Sequence, residues 1–220
     1  MSDNEVTPAA LGSTPAALRL PDELWLDILT QRGLTYGHLR KAGRICKRLQ
    51  RLLQSEELDA LLFRQGPPSP PLVQGSKLKV HPMLELTECV FTDFSKALMF
   101  CPGPDGPDDK HCIDYPRTLN EFATAPASSI INIQFPVGRA FSISGKNGVK
   151  LKQVLVHIGK FWSKKPPSYV AQQVAPLQGV LPDEVNWRMC LGDHCFFEGW
   201  DSVVANGRNT TTMSAIHFGS

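Results

Sequence analysis

The first patterned stretch of the chain places Leu20, Leu24 and Ile28 at four-residue steps, with Trp25 and Leu29 widening the stripe. This is the pattern of a helix that buries one face. Pro21 suits the first helical position, where its missing N–H would be unpaired anyway. Asp22 and Glu23 follow in the first turn, where negative charge complements the helix dipole. Gly33 is the stop signal. A second stripe of Leu39, Ala42, Ile45, Cys46, Leu49, Leu52 and Leu53 predicts a second helix. Ser55, Glu56 and Glu57 open a third, short one, with Leu58, Leu61 and Leu62 as its apolar positions before Phe63. Three helices in fewer than 50 residues bury a small core. A segment this short often needs a partner to complete that core.

The texture then changes. Gln65 to Ser76 holds four prolines and two glycines in twelve residues, which predicts a stiff, extended spacer. Beyond it the pattern is mixed. Leu84 to Phe94 is strand-like around Val90 and Phe91, and residues 101–117 read as a Pro-, Gly- and Asp-rich loop without regular structure. Ile131, Ile133 and Phe135 alternate with Asn132 and Gln134, and Phe141 and Ile143 with Ser142 and Ser144, as in half-buried strands. Lys146-Asn147-Gly148 is a turn signal. Leu151, Val154, Leu155, Ile158, Phe161 and Trp162 then share one helical face, closed by Lys164-Lys165-Pro166-Pro167. Asp183 caps a short helix containing Trp187. Phe196 to Val204, an Asn206-Gly207 turn and Thr210 to Phe218 read as a closing hairpin.

The expected fold class is therefore α+β: a small three-helix module, a Pro-rich linker, and a C-terminal domain with antiparallel strands packed on one main helix. The expected boundaries are 1–17 for a disordered lead-in, 18–64 for the helical module, 65–76 for the linker and 77–220 for the second domain.

The helical module resembles an F-box. Leu20-Pro21-Asp22-Glu23-Leu24 followed by Ile28-Leu29 is similar to its opening. Leu39 and Ile45-Cys46-Lys47-Arg48 are similar to its middle, and Leu58 to Phe63 to its end. Gln31-Arg32-Gly33 and Leu49 stand where many F-boxes carry an apolar residue and a tryptophan. The resemblance implies docking on the Skp-family adaptor of a cullin-based SCF ubiquitin ligase, with the second domain recruiting a protein substrate. It implies a non-catalytic receptor subunit of the cytoplasm or nucleus, with no cofactor. The adaptor-binding residues it implies are Leu20, Pro21, Leu24, Ile28, Leu29, Leu39 and Cys46. The second domain also resembles an uncharacterised domain common in fungal proteins. His81-Pro82-x-Leu84, Ala123-Thr124-Ala125-Pro126, and Phe141-Ser142-Ile143 before a Gly-Val turn carry that likeness.

Composition narrows the alternatives. An apolar fraction of 42% with mixed charge is globular, and a net charge of +2 does not by itself imply nucleic acid or membrane. No apolar run approaches the ~18 residues of a membrane span. Met1 to Ala17 lacks the basic start and apolar middle of a secretory signal. Cys46, Cys89, Cys101, Cys112, Cys190 and Cys195 are scattered, so reduced thiols are expected.

Other chemistry is thin. His111-Cys112 and Cys190 with His194-Cys195 supply nitrogen and sulfur, yet no Cys-x-x-Cys pair occurs, so no metal site is expected. No signature supports a cysteine–histidine nucleophile. Ser144-Gly145-Lys146-Asn147-Gly148 lacks the full phosphate-loop pattern. Arg40, Arg44, Lys47, Arg48 and Arg51 share one face of the predicted second helix. That face gives an alternative reading as a nucleic-acid-associated protein, and a cullin-independent F-box scaffold is another. Phe196, Phe197, Trp162, Trp187 and Trp200 are candidates for core or for a recognition pocket.

Overall fold

The computed structural model describes residues 19–31, 33–85, 98–103, 106–111, 117–136, 140–193, 196–215 and 218–219. The expectations for Met1 to Ala17, for residues 86–94, and for Cys112, His194 and Cys195 fall outside them. The architecture is α+β, divided into two units, Met1–Leu58 and Asp59–Ser220.

In the first unit, helix α1 (Asp22–Thr30) starts directly after Pro21, with Asp22 and Glu23 in its first turn. Gly33 takes φ +107° beyond its end, a conformation that glycine adopts without a Cβ penalty. Helix α2 (Tyr36–Ile45) is closed at its start by a reciprocal cap. The Thr35 hydroxyl accepts from the His38 N–H, and His38 Nδ1 accepts from the Thr35 N–H at 3.1 Å. The expected continuous second helix is in fact two. Cys46 is extended, at φ −157° and ψ 161°, and helix α3 (Lys47–Leu52) begins anew after it. The third element shrinks to a 3₁₀ turn, Glu56–Leu58. Helix α1 packs against α3 and this turn, and α2 against α3. Leu29, Leu39, Leu49, Leu52, Leu53 and Leu58 are buried.

The second unit begins earlier than the composition indicates. Asp59 pairs with Arg64 at 2.8 Å and its carbonyl accepts from the Arg64 and Gln65 N–H groups. The division into the two units falls after Leu58. Residues 65–76 are not a free spacer either. Leu72 is buried and its N–H donates to Asn209 Oδ1, while Gly75 N–H donates to the Ala205 carbonyl at 3.0 Å. Their prolines favour an extended backbone, but Leu72 gives that backbone a place to anchor.

Strand β1 (Lys79–Val80) pairs antiparallel with β4 (Thr124–Ala125). A short helix, α4 (Pro82–Glu85), occupies the start of the stretch expected to be a strand. Strands β2 (Leu98–Gly103) and β3 (Gly106–His111) form a hairpin in the segment expected to be irregular. Two residues separate its paired Gly103 and Gly106, the spacing that tight hairpin turns favour. Pro102 faces Pro107, which a two-stranded ribbon tolerates because the prolines need not donate to a further strand.

The main sheet runs β6 (Ala140–Ser144), β5 (Ile130–Gln134), β9 (Thr210–Ala215), β8 (Trp200–Gly207). It is mixed rather than wholly antiparallel, because β5 and β9 pair in parallel. Helix α5 (Leu151–Trp162) carries the predicted face. Its Leu151, Val154, Leu155, Phe161 and Trp162 join Ile131, Ile133, Ile143 and Met213 of the sheet in one buried core. Phe135 and Phe161 stack at 5.0 Å, and Phe161 and Trp187 at 6.3 Å with nearly parallel rings. A second helix of similar length, α6 (Ser168–Gln178), was not predicted. It buries Ala171 and Ala175 against Val185. Asp183 lies in a turn, Trp187 lies outside any helix, and the next helical piece is a 3₁₀ turn at Met189–Leu191. Strands β7 (Phe196–Phe197) and β10 (Phe218–Gly219) pair separately.

Candidate functional site

In the first unit the residues implied as adaptor contacts separate into two groups. Pro21, Leu24 and Ile28 are exposed, and Leu20 and Cys46 are half-buried. Leu24 keeps 47% of its surface and Ile28 36%, and as an i, i+4 pair they lie one above the other on α1. Leu29 and Leu39, at 3% and 0% exposure, are interior side chains. The periodicity that marks a helical stripe does not say which edge of the stripe turns inward. Ile45, at the end of α2, is 69% exposed and was counted only as part of the second stripe.

The basic run is partly occupied by this fold. Arg48 Nε and Nη2 reach Asp22 Oδ1 at 2.6 Å, and Arg51 Nη2 reaches Asp22 Oδ2 at 3.0 Å. Arg48 also donates to the Leu20 carbonyl. The hydrogen bond from Arg48 holds the Asp22 carboxyl below the usual range; desolvation opposes it, and the Arg48 charge and then the Arg51 hydrogen bond reinforce it. Arg40 donates to the Tyr36 hydroxyl at 2.9 Å and lies over its ring. Cys46 also interrupts the helix, so the expected continuous basic face over residues 40–51 is not formed. Arg44 and Lys47 remain exposed on separate helices.

In the second unit, Cys190 is half-buried and its thiol donates to the Asn186 carbonyl at 3.4 Å. Burial pushes that thiol above its ordinary value, the reverse of an activated nucleophile. Among the described residues no group of three or more His, Cys, Asp or Glu side chains is placed to hold a metal ion. Trp162 and Trp187 are core residues. Phe197 and Trp200 meet edge to face at 5.0 Å, and Trp200 Nε1 donates to the Leu84 carbonyl.

The 144–148 segment is a structural turn. Gly148 N–H donates to the Gly145 carbonyl at 2.9 Å. At α5, Gln153 Oε1 accepts from the Lys150 N–H at 2.8 Å, and Lys150 Nζ sits over the Phe122 ring at 3.2 Å. Burial lowers the Lys150 ammonium below its ordinary value, with Glu121 opposing that shift.

A groove of about 720 Å³ borders β8, with two lysines in its lining. Lys77, Lys79, Pro126, Val203 and Val204 are among the residues that line it. The sequence singled out Ala125 and Pro126 only as carriers of a family likeness and did not bring Lys77 and Lys79 together with Val203 and Val204, which lie more than a hundred residues away in the chain.

No family model, curated protein or solved structure matches this chain. Among the described residues no helix is long and apolar enough to cross a membrane.

Proposed function

We propose that this protein is a substrate-recruiting subunit of an SCF-type ubiquitin ligase, docking on a Skp-family adaptor through α1. The reading starts from the F-box-like order of Leu20-Pro21-Asp22-Glu23-Leu24 and Ile28-Leu29. What supports it most is that Leu24 and Ile28 stay exposed although Leu29, on the same helix, is already buried. Exposed aliphatic pairs at helical spacing suit a partner's groove. On this reading the docking surface is Pro21, Leu24 and Ile28, with Leu20 and Cys46 at its margin. Leu29 and Leu39 act from inside by holding the helices in place. The chain contributes no catalytic group. It positions a bound client while other subunits carry out ubiquitin transfer.

Co-purification of the full-length chain with a Skp-family adaptor tests this. Leu24→Asp combined with Ile28→Asp is expected to lower capture roughly tenfold or more, with the circular dichroism spectrum unchanged. Undiminished capture by a folded double variant overturns the docking surface. Adding a cullin to the same assay separates a ligase receptor from a scaffold that stops at the adaptor.

A further inference from the structure

Strand β8 is one of the two outer strands of the main sheet among the described residues. Its pairing with β9 runs without a shift from Ser202↔Ser214 to Ala205↔Thr211. The Ala205 carbonyl points away from β9, since it accepts the Gly75 N–H at 3.0 Å. In an antiparallel ladder such outward-pointing residues alternate. Val203, two residues earlier, therefore also turns its N–H and C=O outward. Among the described residues no strand pairs with that position, because the neighbouring chain crosses β8 only at the Gln74↔Asn206 bridge. The groove opens at this place.

An unpaired strand edge is a template for another strand. The groove beside it selects by charge. Lys77 and Lys79 are exposed and belong to its lining, and no acidic side chain lines the groove. Asp201, further along β8, lies outside the lining. Val204, also in the lining, is 44% exposed and offers an apolar contact.

We propose that this groove binds an extended, acidic segment of a client protein, added as a further strand along β8. The segment's backbone bonds to Val203, its carboxylates face Lys77 and Lys79, and alternate apolar side chains rest on Val204. Strand addition supplies affinity through the main chain, while the groove lining supplies the choice of sequence. The inference rests on the receptor reading above and assigns it a client-binding surface.

The test uses the full-length protein and a fluorescein-labelled octapeptide of alternating Glu and Val. Three comparisons accompany it: the same peptide N-methylated at alternate residues, a Lys-Val peptide, and a short single-stranded oligonucleotide. The expected result is saturable, salt-sensitive binding of the Glu-Val peptide. Lys77→Glu with Lys79→Glu weakens it roughly tenfold, and the N-methylated peptide, which lacks half of its donors, loses binding by a similar factor. Both lysines are exposed, so the variant folds, and the methylated peptide tests the strand edge without altering the protein. The proposal is overturned by absence of peptide binding, by equal binding to the charge-reversed variant, by equal binding of the N-methylated or Lys-Val peptide, or by equal binding of the oligonucleotide. Adaptor capture on the same preparations keeps the two readings apart. Loss of peptide binding with capture intact removes only the groove. Peptide binding without capture leaves the groove as a peptide site and removes the ligase reading.

Discussion

His81 Nε2 lies 3.1 Å from Glu121 Oε2, and His81 is fully buried. The Met83 N–H donates to His81 Nδ1 at 3.1 Å, so Nδ1 carries a lone pair and the ring proton sits on Nε2. The imidazole therefore donates to the Glu121 carboxylate as a neutral ring. His81 N–H donates to the Ala123 carbonyl, and Leu151 N–H to that of Glu121. The pair thus joins the β1–β4 corner to the start of α5. Removing the histidine takes a donor away from a buried carboxylate and leaves a cavity in its place. His81→Ala is expected to cost roughly 3–5 kcal/mol. Glu121→Gln keeps an acceptor for the same proton and is expected to cost under about 2 kcal/mol. Urea denaturation of the two variants checks the order. Equal costs would show that Glu121 does not depend on His81.

Gly148 takes φ +99°, and a Cβ there would lie 2.6 Å from Phe122 Cε1 and 3.2 Å from Pro67 Cδ. Two penalties coincide: a left-handed backbone, about 1–2 kcal/mol for an L-residue, and overpacking, typically 1–3 kcal/mol. Gly148→Ala is expected to destabilise the second unit by roughly 2–5 kcal/mol, read as a lower urea midpoint. Gly179, at φ +65° with nothing within 4 Å of a Cβ, carries only the first penalty. Gly179→Ala is expected to fall at or below the lower end of that range.

Helix α5 was legible because its apolar face is long and strictly spaced, and strands β5 and β6 because their alternation is clean. Helix α6 was not, since its buried residues are only Ala171 and Ala175 and it carries Pro176. The hairpin of β8 and β9 was legible but its turn was not. Asn206 and Gly207 look like the turn, yet they belong to β8, and Arg208 and Asn209 take positive φ instead. Asn209 is fixed by a partner far away in sequence: its side chain accepts from Leu72 N–H and its carbonyl from Ser129 and Ile130 N–H groups. The parallel pairing of β5 with β9 left no local trace for the same reason. Proline content in residues 65–76 reported the backbone's shape and not the surface under it. In the first unit, α1 was read nearly to the residue, but one stripe contained both interior and exposed side chains.

The division within that stripe is measurable. Leu39 is 0% exposed and Ile45 is 69% exposed, although both lie on α2. Leu39→Ala is expected to cost roughly 2–5 kcal/mol through lost burial and the cavity left behind. Ile45→Ala is expected to stay within about 0.5 kcal/mol, as surface changes do. Thermal melts of both variants decide the matter, and a large loss from Ile45→Ala would place that side chain in an interior contact.

The clasp between Asp22 and the Arg48 and Arg51 guanidinium groups ties the start of α1 to α3. Its effect on stability has a defined direction with pH. The folded-state value of the Asp22 carboxyl lies below its ordinary 3.8, first because of the Arg48 hydrogen bond. A lowered folded value means that the unfolded chain takes up the proton first as pH falls. The contribution is thus complete above the ordinary value, declines below 3.8 and disappears as pH passes the lowered folded value. Near neutral pH the clasp is therefore insensitive to pH. Asp22→Asn keeps an acceptor but no charge, so α1 in that variant is expected to lack this acid-range decline. Hydrogen exchange of the α1 amides in the full chain, followed from neutral to acid pH, gives the comparison. The intact protein is expected to lose protection in the acid range relative to its own neutral value, and the variant to start lower and change less. Parallel curves for the two proteins would show that the ion pair contributes nothing to holding α1 in place.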